Sequence, residues 1–318
     1  MKTQIPYYRE NRDTLLGGLV SVHFNSLLEL YDLRLPDIGV DNQREIQRFD
    51  VALGREPGHN SGHDWYGPTN MTASDVVNHA LLGDQELYVK LQPMADEISR
   101  VLGSHTTTYR QQVLKAKRVR VRDIFGDTLD IHRVYQGQID KAWERRKRIE
   151  SNEEHNLITI LVDIGGTGSD DVLESLWRAA ATLKIVDDYE KAGKSVKLLV
   201  GTVASGALAD SYDVMSQTIT VKNYNERLPL ERVAAMCHLG FHRTFSFASR
   251  HCQPYAPVSF AYGRSIPITH GHLPITIRQE IAEGRTKLVI VPRCTNMASA
   301  IDSVKCVYSE LAALSKAG

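Results

Sequence analysis

The chain has 318 residues, with 38 Lys/Arg balanced by 38 Asp/Glu and a 42% hydrophobic content, the profile of an ordinary globular protein. That length holds one large domain or two ordinary ones, and no apolar run is long enough to cross a bilayer. The start, Met1-Lys2-Thr3-Gln4 running into Tyr7-Tyr8-Arg9-Glu10, reads as no secretory leader. Cys237, Cys252, Cys294 and Cys306 show no CxxC spacing, so we expect a reduced cytoplasmic protein with mostly buried thiols.

Residues 1–60 read as a leader followed by a short helix, with Leu15, Leu16, Leu19, Val20, Leu27, Leu28 and Leu30 available to dock, and Pro36-Asp37-Ile38-Gly39 breaking the pattern. Gly54 to Gly67 reads as a loop. His59 and His63 lie in it without a carboxylate pair, which favours solvated histidines over a metal, and Trp65 is expected to anchor it. Thr72–Leu82 and Gln85–Val101 read as helices, the first capped by Thr72 or Ser74. Lys115 to Arg122 then alternates, placing Arg118, Arg120 and Arg122 on one face of a strand and Val119 and Val121 on the other. Such a row serves equally as a charged, aggregation-resistant edge or as a track for phosphates. Leu129 to Tyr135 is expected to return as its hairpin partner. Asp140 to Ile149 reads as a helix with Lys141, Arg145 and Arg148 on one side, Arg146 and Lys147 beside them, and Trp143 within the run. Its simplest reading is a solvated charged face. A polar link, Ser151 to Asn156, follows.

Leu157 to Val203 is the centre of the reading. Leu157–Asp163 is a buried strand, rich in β-branched residues, that turns through Ile164-Gly165-Gly166-Thr167-Gly168-Ser169. Ser169 is placed as N-cap, and Val172, Leu173, Leu176, Ala179, Ala180, Leu183 and Val186 mark one helical face that runs to Gly193. Val196–Val203 is the next strand. The three elements predict a right-handed βαβ unit and an α/β fold. Thr218–Val221 then reads as a strand, Pro229–Met236 as a helix, Lys287–Val291 as a buried strand and Ala300–Leu314 as a closing amphipathic helix. Between them, Phe241 to His251 interleaves bases with aromatics. In an extended segment Phe245 and Phe247 share a face with Arg243.

Neutrality conceals segregation. Tyr109–Arg148 carries twelve Lys/Arg against five Asp/Glu, and Lys222–Arg293 ten against four, excesses of seven and six. Four of the seven phenylalanines lie between Phe241 and Phe260. Enzyme chemistry finds little footing. Gly165-Gly166-Thr167-Gly168 lacks the lysine of a phosphate loop, and Asp170 and Asp171 would repel a phosphate. Cys237, His238, His242, His251 and Cys252 fit no zinc spacing, and no catalytic triad order or nucleophile elbow is present. A hydrolase hidden among these His and Cys residues is the weakest of the readings. The expectation is a non-enzyme with no cofactor and no bound metal.

Asp163, Gly165 and Thr167 resemble the metal-ion-dependent adhesion site of von Willebrand A domains, with glycine where the first serine would stand, which removes an oxygen ligand. From Trp65-Tyr66-Gly67, through Asp130 to Gly137, to Val162-Asp163-Ile164-Gly165-Gly166, the chain resembles a phage and plasmid family with a degenerate von Willebrand A-like half. The resemblance implies a von Willebrand A-like (Rossmann-like) domain over 151–318, preceded over 1–150 by an α+β region with the basic hairpin and helix. In size and charge pattern the chain also resembles the single-stranded-DNA-binding cofactors of phage single-subunit RNA polymerases. That likeness implies single-stranded DNA as ligand, a phage RNA polymerase as protein partner, self-association, and residence in the cytoplasm of an infected cell. From the residues themselves, a single-stranded-DNA binder needs a basic track and aromatic faces. Arg118, Arg120, Arg122, Lys141, Arg145 and Arg148 supply the first, and Phe245, Phe247 and Tyr255, beside Arg243 and Arg250, the second. The rival is a protein-protein adaptor working through Asp163 and Thr167.

Overall fold

The computed structural model describes residues 7–10, 19–57, 71–103, 118–123, 128–129, 131–135, 142–148, 157–166, 172–191, 194–205, 214–226, 230–252 and 265–316. They belong to two compact units, Met1–Gly103 with His155–Gly318, and Ser104–Glu154. The boundary expected at residue 150 falls within the smaller unit, which is inserted in sequence between the two parts of the larger one.

The larger unit begins with β1 (Tyr7–Glu10), β2 (Leu19–Phe24), α1 (Leu27–Asp32), α2 (Gln43–Ala52), α3 (Ala73–Leu82) and α4 (Gln85–Leu102). The inserted unit holds β3 (Arg118–Asp123), β4 (Thr128–Leu129), α5 (Ile131–Tyr135) and β5 (Trp143–Arg148). The larger unit then resumes with β6 (Leu157–Asp163), α6 (Val172–Lys191), β7 (Ser195–Ser205), β8 (Val214–Lys222), α7 (Leu230–Met236) and α8 (Leu239–His251). It closes with β9 (Ser265–Ile266), α9 (Ile275–Ala282), β10 (Lys287–Val291) and α10 (Met297–Lys316).

Seven strands form its sheet in the order β1-β2-β8-β7-β6-β10, with β9 pairing β7 beyond the end of β6. β6 lies parallel to both β7 and β10, so β6-α6-β7 is the expected βαβ unit of a Rossmann-like α/β fold. β2 runs parallel to β8. Tyr7–Glu10 and Leu19–Phe24, expected within a leader, are thus strands of this sheet. β6 reads as a continuous hydrophobic run because both of its faces are covered. On one face Leu161, Leu199 and Val203 pack against Ile268, Leu273 and Ile277, the last from α9. Phe24, on the other, meets Phe245 of α8 edge-on with ring centroids 6.4 Å apart.

Local chemistry sets the helix ends. Thr72, not Ser74, caps α3: its hydroxyl accepts from the Asp75 amide at 3.2 Å, and the Asp75 carboxylate accepts from the Thr72 amide at 2.8 Å. Gly54 turns the chain after α2 with φ +67°, and a Cβ there would collide with the backbone of Ser74. Among the described residues no helix is long and apolar enough to cross a membrane. Gly54→Ala combines a left-handed backbone with that collision. We expect it to destabilise the larger unit by more than 1 kcal/mol, read as a fall in urea midpoint at unchanged m.

Candidate functional site

The inserted unit carries the arginine row, and its register differs from the expected one. β3 pairs antiparallel not with residues 129–135 but with β5, and the short β4 lies on the other side of β5. Residues 131–135 are helical, and 143–148, expected as helix, form the central strand. Pairing with β3 overrides the good helix propensity of Glu-Arg-Arg-Lys-Arg.

The register sets Arg118 opposite Arg148, Arg120 opposite Arg146 and Arg122 opposite Glu144. Directly opposed residues share a face. Five arginines and one glutamate therefore occupy one face of the ribbon. Arg145, opposite Val121, falls on the other face with Lys147, so it is separated from Arg148. Arg146, left out of the expected track, belongs in it. The signal was present in the alternation of β3, but it becomes readable in β5 only once the partner strand is known. Lys141 lies outside the described residues.

The aromatic half of the expected interface is corrected. Phe241 to His251 is not extended but lies in α8, where residues two apart are about 200° apart around the axis. Phe241, Phe245, Ala248 and Cys252 form its buried face. Phe245 is 1% exposed and stacks on Phe241 at 5.7 Å, so it is core and offers no face to a base. Arg243 is buried as well. Phe247 and Arg250 are half-buried, with the guanidinium 5.9 Å from the ring centroid. Tyr255, like Thr167, Ser169, Asp170, Asp171, His59, His63 and Trp65, lies outside the described residues.

The His and Cys residues are spread along α8, each with its own partner. His238 Nδ1 accepts from the Gly240 amide at 3.2 Å, His242 Nδ1 meets Ser246 Oγ at 3.1 Å, and His251 bridges to Glu45 of α2 at 2.6 Å. Burial, reinforced by Arg178, pushes His238 down to about 4 and His242 to about 3. Burial also holds the thiols protonated, raising Cys237 and Cys294 to about 11 and Cys252 further. Among the described residues no group of three or more His, Cys, Asp or Glu is placed to hold a metal.

Asp163, at the C-terminal end of β6, faces inward at 2% exposure. Its Oδ1 accepts from the Gly165 amide at 2.9 Å and its Oδ2 from the Ile268 amide at 3.1 Å, with Arg293 Nε 3.4 Å from Oδ2. Arg293 also donates to the carbonyls of Ser265 and Ile266. Arg178, from α6, donates through Nη1 to the carbonyls of Asp163 and Gly165 at 3.3 and 3.1 Å, and through Nε and Nη2 to the Cys237 carbonyl. A Cβ at Gly165 would collide with Ser265 and Arg293. The carboxylate is engaged by protein donors, the arrangement of a structural hub and not of a cation ligand.

A mixed α/β sheet with a basic ribbon inserted before β6 defines the class, and the family follows from comparison. The chain belongs to the family of a domain of unknown function, DUF7192, whose model matches residues 10–309. No curated protein and no solved structure matches it.

Removing the Asp163 carboxylate leaves the Gly165 and Ile268 amides without an acceptor and takes the counter-charge from Arg293 Nε. We expect Asp163→Ala to lose about 3 kcal/mol of unfolding free energy, with magnesium and manganese leaving the wild-type melting temperature unchanged. The buried histidines generate a pH dependence. His23 and His238 at about 4 and His242 at about 3 are neutral in the fold and titrate at 6.5 when unfolded. The unfolded chain binds more protons below pH 6.5, so stability present above that pH drains away as the pH falls toward 3, by up to about 1.4 kcal/mol per pH unit for each histidine. His242→Gln should flatten that acid limb by one proton's slope in denaturant titrations between pH 7 and 5.

Proposed function

We propose that the protein is a non-enzymatic nucleic-acid-binding protein that takes single-stranded DNA along the β3–β5 ribbon of its inserted unit. The observation that carries this reading is the register, which opposes Arg118 to Arg148 and Arg120 to Arg146. Like charges directly opposite one another destabilise a strand pair. A ribbon that keeps them gains most from a ligand that supplies a row of negative charge. Successive arginines on one face of β3 stand about 6.7 Å apart, so the three-residue row is short. A flexible single strand adjusts its phosphate spacing to such a row, whereas a duplex presents a fixed one. The likeness to the cofactors of phage single-subunit RNA polymerases extends the reading to presenting template to such a polymerase. The adaptor reading gains no support from Asp163, which offers a partner no surface.

Binding to single-stranded DNA should weaken steeply with salt and be indifferent to sequence. Replacing Arg118, Arg120 and Arg122 together with Ala should reduce the slope of log affinity against log salt by about 2, since each lost phosphate contact removes about 0.7 on single strands. Electrophoretic shifts of single-stranded DNA, duplex DNA and RNA at several salt concentrations measure this. An unchanged slope in a folded triple mutant returns the arginines to edge protection.

A further inference from the structure

The proposed interface has a basic row for phosphates, but of the expected stacking residues Phe245 is core and Phe247 is half-buried in α8 of the other unit. The inserted unit contains a different aromatic. Tyr135, the last residue of α5, is 86% exposed, beside Val134 at 38%. Among the residues whose side chains are described, it is the only aromatic that stands in solvent. It belongs to the same compact unit as the arginine ribbon.

We propose that Tyr135 is a base-stacking residue of this interface, an inference that rests on the nucleic-acid reading above. Its ring presents an apolar face to water, free to meet a ligand. A protein partner is a poor match for the patch. A stable protein interface buries roughly 800 Å² on each side, far more than the tyrosine and valine exposed among the described residues of this unit. A nucleobase is about the size of the ring. Stacking is also tolerant of sequence, because every base has a π-face, as a binder without base readout requires. The ribbon holds the backbone by charge, and Tyr135 takes a base from the same strand.

The test uses the full chain with a fluorescein-labelled oligothymidylate and an abasic oligodeoxynucleotide of the same length. Tyr135→Ala should weaken oligothymidylate binding by about fivefold to about a hundredfold, the loss of one stacked base. It should leave abasic binding and the salt slope at wild-type values, because stacking releases no counterions. The melting temperature should not change, since the side chain is exposed. Tyr135→Trp should keep the affinity, and its added fluorescence should be quenched by oligothymidylate and not by the abasic strand. Wild-type affinity of Tyr135→Ala for both strands, or an equal loss on both, overturns the stacking role while salt-dependent binding stands. Failure of the wild-type protein to bind either strand removes the nucleic-acid reading itself.

Discussion

The larger unit depends on one buried cation. Arg178 of α6 is 3% exposed, in a setting where burial depresses its pKa. A charge in such a place is tolerable only if its donors are satisfied. Four hydrogen bonds do this, all to backbone carbonyls. Two come from the turn after β6, and two share the carbonyl of Cys237, just past the end of α7, a group the helix itself leaves without a partner. One side chain thereby ties the end of the central strand to the start of α8. His242 of α8 reinforces the join through the backbone of Gly166. The position of α8, and hence the burial of Phe241 and Phe245, follows from that attachment.

Arg293 and Asp163 continue the arrangement from β10 to β9. Together the two arginines and the carboxylate gather the chain at the C-terminal ends of β6 and β10, the region where open α/β sheets commonly bind ligands. Here the polar groups are spent on the protein's own backbone. Asp163 resembles the first residue of an adhesion site in sequence, yet it serves as an acceptor for Gly165 and Ile268.

The inserted unit works under the opposite rule. Among the described residues of the larger unit, buried Arg178 and Lys222 donate to backbone carbonyls and Lys184 pairs with Asp188, whereas the ribbon sets arginine against arginine. A unit of about fifty residues also has limited apolar burial with which to offset repulsion. The proposed function rests on this imbalance: opposed arginines repel one another, and a polyanion would relieve that repulsion. With the proposed stacking role on α5, both halves of the proposed interface lie in one unit, so the reading does not require the two basic blocks of the sequence to meet.

Sequence alone determined the elements whose pattern has a single solution. The uninterrupted run of β6, the apolar stripe of α6, the strand Lys287–Val291 and the helix α3 were legible because each is set by neighbours a few residues away. The arginine row of β3 was legible for the same reason. Tertiary structure decided the rest. The run from Phe241 to Cys252 satisfies both periods: Arg243, Phe245 and Phe247 alternate as in a strand, while Phe241, Phe245, Ala248 and Cys252 recur as in a helix. Contact with Phe24, more than two hundred residues earlier, accompanies the helical choice. Glu144 to Arg148 suits a helix until β3 offers it a ladder, and β2 has no use for its pattern until β8 lies alongside. Where two periods fit the same residues, the hydrogen-bonding partner chooses, and that partner lies far away in the chain.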